Sequence, residues 1–125
     1  MLEVHHRYAT VRGRQVFYRE AGALDAPVVV LLHGFTSTPA SVRAWAEGLA
    51  AGGSPVSVPL LPGHGTRWED LADTGADEIR AAVRAVVDLE LARHGRVVMA
   101  GISMGGALAL DQGGVENVHS VVGME

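Results

Sequence analysis

Apolar and polar positions along this chain fall into blocks that alternate between strand and helix periodicity. Val11 to Glu20 holds Arg12-Gly13-Arg14 between β-prone flanks and, with Val16, Phe17 and Tyr18, predicts a hairpin-like strand pair. Ala26 to Leu32 is a continuous apolar run, the pattern of a strand buried on both faces of a parallel sheet. Ser37 or Thr38 can cap a helix whose first position is Pro39. Val42, Trp45, Ala46 and Leu49 then share one helical face, and Gly52-Gly53 stops it. Pro55 to Leu61 predicts a second core strand. Asp73 or Thr74 opens a longer helix with Ile79, Val83, Val86 and Val87 as its buried stripe and Gly95 at its end. Arg96 to Ala100 predicts the third core strand. A helix-forming stretch, Ala107 to Leu110, follows. Gly113-Gly114 breaks the chain, and Val118 to Gly123 predicts one more strand. Strands alternating with helices of this length imply an α/β architecture, a mostly parallel sheet with helices on both faces.

The chain has 125 residues and carries no repeat, low-complexity tract or linker, so residues 1–125 are expected to form one domain. A composition of 48% hydrophobic and 19% charged residues is that of a globular protein and argues against disorder. No stretch approaches the roughly 20 apolar residues of a membrane span, so stable membrane insertion is not expected. The N-terminus carries His5-His6-Arg7 rather than a charged segment followed by an apolar one, and a cytoplasmic location is expected. Cysteine is absent, which excludes disulfides, thiolate metal sites and a cysteine nucleophile. The formal charge of −4 gives no reason to expect nucleic acid.

Chemistry concentrates at Ser103. It lies in Gly101-Ile102-Ser103-Met104-Gly105, after the apolar run from Arg96 and before a helix former, which is the sequence form of a nucleophile elbow. Such a turn is very sharp, so the positions two before and two after the serine must be small, and Gly101 and Gly105 are. The serine is expected in a strained backbone conformation with its hydroxyl pushed out of the sheet. The helix behind it aims N–H groups and its dipole at negative charge developing there. A bare Gly-x-Ser-x-Gly also arises by chance, and a glycine-rich strand-to-helix turn can cradle phosphate. No Gly-Lys-Ser/Thr follows here and no G-x-G-x-x-G is present, so the elbow reading is preferred.

His33-Gly34-Phe35 follows the first core strand. Alone it reads as a strand end. Beside an elbow it reads as the loop supplying the second donor of an oxyanion hole, with Phe35 N–H and Met104 N–H as the pair and Gly34 allowing close approach. Pro62-Gly63-His64-Gly65-Thr66-Arg67-Trp68 reads as a rigid turn, with His64 a loop histidine rather than a general base. His94 falls in the last turn of a helix, where a cation suits the dipole. His5 and His6 read as surface residues. No histidine has ligand spacing with a partner, so neither metal nor cofactor is expected.

With these residues in hand, the chain resembles the N-terminal half of an α/β-hydrolase, closest to bacterial carboxylesterases and monoacylglycerol lipases. The resemblance is carried by Leu31 to Pro39, Leu61 to Leu71 and Gly101 to Leu110, in the family's order, and covers about residues 10 to 110. It implies Ser103 as nucleophile, an oxyanion hole of Phe35 and Met104, and a small-molecule ester as substrate. The family orders its triad Ser…Asp…His on later loops. Here only Asp111 and His119 follow in that order. Asp111 falls on the elbow helix pointing away from Ser103, and His119 starts the last strand, so neither completes a triad. A frameshifted or prematurely terminated reading frame, or a deliberately cut chain, would explain this. The implied activity is then an esterase lacking its acid and base, an inactive fragment, or a half-enzyme completed by a partner chain. The last strand would leave an unblunted sheet edge, with no lysine or proline, and self-association through it is expected.

Overall fold

The structure is a computed structural model and describes residues 4–11, 14–21 and 26–122. Six strands form one sheet: β1 (Val4–Val11), β2 (Arg14–Ala21), β3 (Val28–Leu32), β4 (Val56–Pro59), β5 (Val97–Gly101) and β6 (Val118–Val122). Their order is β1-β2-β4-β3-β5-β6, with β3, β4, β5 and β6 parallel and β1 and β2 antiparallel at one side. This is the expected α/β sheet. The hairpin is longer than its sequence suggests: β1 runs back to Val4 and takes in the exposed His5 and His6. The expected turn at Arg12-Gly13, and Gly123 at the end of β6, lie outside the described residues.

The apolar run of β3 is buried along its whole length because helices cover both faces of the sheet. Val28, Val30 and Leu32 pack with Ile79, Val83, Val86 and Val87 of α3 (Ala76–His94) and Leu108 of α4 (Met104–Asp111). Val29 and Leu31 face the other way, toward Val42 and Ala50, with Trp45, Ala46 and Leu49 of α1 (Arg43–Ala51) against them. Both predicted helical stripes therefore meet the sheet, one on each side. Thr38 caps the 3-10 turn Pro39–Val42 ahead of α1, its hydroxyl accepting from Ala40 N–H at 3.3 Å. Gly95 ends α3 in the left-handed conformation, φ 78°.

One helix escapes the periodicity, and it moves the start of the next. α2 (Trp68–Ala72) forms where a loop is expected, because the Asp70 carboxylate accepts from the Thr66 hydroxyl at 2.7 Å and the Arg67 N–H at 3.4 Å. Those bonds hold its charge and keep the carboxyl below the usual range. Asp73 and Thr74 consequently close α2 rather than open α3. Asp73 N–H donates to Glu69 O and the Thr74 hydroxyl to Asp70 O at 2.6 Å. α3 starts at Ala76 behind Gly75.

The topology places a switch point. β3 leads into α1 on one face and its neighbour β5 leads into α4 on the other. In open α/β sheets such a switch point, at the carboxyl ends of the strands, is where ligands bind. The loops here are His33-Gly34-Phe35 and Ile102-Ser103.

Candidate active site

Ser103 sits between β5 and α4 with φ 56° and ψ −119°, a conformation that a residue with a Cβ rarely adopts. The turn needs its glycines for close approach. A Cβ at Gly101 would lie 2.2 Å from the Gly105 carbonyl carbon, and one at Gly105 would lie 2.2 Å from Leu32 O and 2.7 Å from His33 O. α4 thus starts against the end of β3. Ile102 N–H donates to Leu32 O at 3.2 Å, extending the contact by one step. Ser103 is exposed, and Met104 is the first residue of α4, so its N–H is among the donors that a helix leaves free at its start.

The loop after β3 lies over this turn. A Cβ at Gly34 would sit 3.6 Å from the Ser103 Cβ and 3.5 Å from Ile102 O. Gly34 to Ser37 close a turn in which Ser37 N–H donates to Gly34 O at 3.2 Å, with Thr36 at φ 62°. His33, fully buried, fixes the same carbonyl. Leu61 N–H donates to its Nε2 at 3.0 Å, so that nitrogen carries the lone pair. The proton is then on Nδ1, which donates to Gly34 O at 2.9 Å. Two hydrogen bonds pin the Gly34 carbonyl, and a trans peptide points the Phe35 N–H the opposite way. Among the described residues neither Phe35 N–H nor Met104 N–H has an acceptor. Burial, opposed by the Gly34 hydrogen bond and reinforced by nearby His64, holds the His33 imidazole below its ordinary pKa. His33 is a neutral strut.

The remaining sequence candidates fall elsewhere. His64 lies in the expected loop but is buried, edge-on to the His33 ring at 5.0 Å and to the Phe35 ring at 5.9 Å. Asp111 is exposed, its carboxylate 3.8 Å from Arg80 Nε, and eight residues of helix put it about 12 Å from Ser103. His119 pairs in register with Val98, three residues back from the end of β5, so it lies about 10 Å toward the opposite edge of the sheet. His94 does more than face a helix dipole: its side chain is buried, Nδ1–H donates to Ala26 O at 2.8 Å, and Nε2 lies 3.2 Å from the buried Glu90 carboxylate. Among the described residues no cluster of metal-ligating side chains occurs, and no helix is long and apolar enough to cross a membrane.

Residues 29–124 match the alpha/beta hydrolase family, and the chain belongs to that family. Among its relatives is a thermostable monoacylglycerol lipase from Bacillus sp. (strain H-257), 38% identical over 104 residues, which cover 83% of this chain and 40% of the lipase. A solved structure from work on LipS and LipT, two metagenome-derived lipolytic enzymes, is 34% identical with a TM-score of 0.70, over 85% of this chain and 42% of that one. The epoxide hydrolase VrEH1 from Vigna radiata superposes with a TM-score of 0.77 over 96% of this chain and 38% of its own, at 23% identity, a likeness of fold. The chain therefore spans about two-fifths of the length of these relatives.

Proposed function

We propose that the chain carries the acylating half of a serine carboxylic-ester hydrolase acting on short- to medium-chain esters or monoacylglycerols. One observation carries the reading: two N–H groups without acceptors among the described residues, on Phe35 and Met104, belong to the loop over, and the helix behind, a serine held at positive φ at the sheet's switch point. The 38% identity to a monoacylglycerol lipase supports the substrate class. In this mechanism Ser103 Oγ attacks the ester carbonyl carbon and the carbonyl oxygen becomes an oxyanion between the two amides. The C–O bond to the alcohol then breaks, leaving an acyl ester on Ser103, which water hydrolyses to the acid and free serine.

The proton on Oγ needs a base. Both nitrogens of His33 are engaged, and Asp111 and His119 are remote. In this reading the acid and base come from outside the chain's 125 residues. Loss of triad members typically costs about 10⁴- to 10⁶-fold, while the oxyanion hole and binding retain roughly 10³- to 10⁴-fold over water. Incubation with p-nitrophenyl butyrate should give negligible turnover and a slowly formed butyryl adduct, mapped by peptide mass spectrometry to Ser103 and absent from Ser103→Ala. Robust turnover abolished by that substitution would place a base within the chain. An adduct elsewhere, or none, would remove Ser103 as nucleophile.

A further inference from the structure

We propose that His64 is a positioning residue that holds the Phe35 amide toward Ser103, an inference that rests on reading Phe35 as an oxyanion donor. The local chain is built to present one ring. Gly63 and Gly65 both take positive φ, 76° and 77°, so the backbone turns sharply on either side of His64. The loop is clamped from outside: a Cβ at Gly63 would strike Thr74, and one at Gly65 would lie 3.1 Å from Leu60 Cδ1. The imidazole between these glycines is 4% exposed. Its Nδ1–H donates to Pro62 O at 3.0 Å, which sets the ring plane relative to its own loop.

What the ring touches gives it the role. Its contact with His33 is edge-on at 5.0 Å and 62°, and its contact with Phe35 is edge-on at 5.9 Å and 80°, both favoured geometries for aromatic pairs. His33 is the residue whose Nδ1–H pins the Gly34 carbonyl, and Phe35 is the residue whose N–H that carbonyl orients. His64 therefore braces both ends of the peptide that decides the direction of the donor. Phe35 is otherwise 57% exposed, so few other contacts restrain its ring. Nε2 of His64 makes no hydrogen bond among the described residues. The Nδ1–H bond to Pro62 O fixes the plane of the ring and the ring's edge does the bracing, so a phenyl group, of the same shape but without that bond, should keep most of the effect.

The test is the rate of butyryl-adduct formation on Ser103 from p-nitrophenyl butyrate, read by mass spectrometry in the full chain, for wild type, His64→Ala and His64→Phe. Removing an oxyanion donor costs about 10²- to 10³-fold. Loosening one should cost about tenfold, so His64→Ala is expected to acylate about ten times more slowly and His64→Phe within about threefold of wild type. Hydrogen exchange supplies a second readout. Ser37 and Leu61 amides, which donate to Gly34 O and His33 Nε2, should exchange faster in His64→Ala while amides of α3 keep their protection. If α3 also loses protection, His64→Leu, which fills more of the space without a planar ring, replaces the alanine variant under the same criteria. A wild type that is never acylated on Ser103 overturns the site and this inference together. Normal acylation with an unchanged alanine rate overturns the role of His64 alone. Equal loss in the phenylalanine variant shows that a nitrogen, not the ring, is what matters, and overturns it too.

Discussion

Replacing Ser103 by glycine should make the protein more stable while removing the proposed nucleophile. The serine holds φ 56° and ψ −119°, where its Cβ is crowded by the neighbouring backbone. Strain of this kind costs about 1–3 kcal/mol. Glycine relieves it, but the unfolded chain gains freedom at that position, which offsets about 0.5–1 kcal/mol. The hydroxyl is exposed and makes no hydrogen bond among the described residues, so its removal costs little. The balance is a gain of about 1 kcal/mol for Ser103→Gly. Ser103→Ala keeps the Cβ, and with it the strain, and should stay near wild type. For a domain of this size about 1 kcal/mol corresponds to about 3–5 °C in melting temperature. The assay is urea and thermal unfolding followed by circular dichroism for wild type, Ser103→Ala and Ser103→Gly side by side. If the glycine variant is no more stable than the alanine variant, the backbone at residue 103 stores no strain.

Gly101→Ala and Gly105→Ala should each prevent native folding, because the added methyl meets backbone at 2.2 Å. Gly48→Ala, inside α1 with nothing within 4 Å, should stabilise by about 0.5–1 kcal/mol, and soluble yield with denaturant midpoints checks all three. Burial holds the His33 imidazole neutral to a pH below its ordinary value of 6.5, so the unfolded chain takes up that proton first. Its contribution to stability should be complete above about pH 6.5 and be lost as the pH falls toward its folded value, with a slope of at most about 1.4 kcal/mol per pH unit. Urea midpoints between pH 5 and 8 should show a shallower slope in His33→Phe, and an identical slope would contradict the assignment. β6 has no partner on its outer side among the described residues, and α4 beside it exposes Leu110. Self-association is therefore expected by light scattering, and a clean 13.1 kDa monomer at high micromolar concentration would refute it.

Much of the fold was determined by the sequence alone, and the reason is local. Strand and helix periods repeat every two or about 3.6 residues, so the burial of Val28 to Leu32 and the stripe Ile79, Val83, Val86, Val87 can be read without neighbours. The sharp turn at Ser103 is equally local, since Gly101 and Gly105 lie within two residues of it. Tertiary structure alone decided the rest. α2 depends on a carboxylate reaching back to Thr66, a side-chain bond that hydrophobic spacing does not encode. The direction of the Phe35 N–H depends on His33 bonding to Leu61, 28 residues away, which fixes its tautomer and pins the Gly34 carbonyl. His64 and His94 read as loop and helix-end histidines by position, and became buried struts only when the sheet brought Phe35 and Ala26 against them. A hydrogen bond or ring contact between residues far apart in the chain leaves no periodic trace, because its partner is chosen by the packing of the sheet and not by the residues on either side.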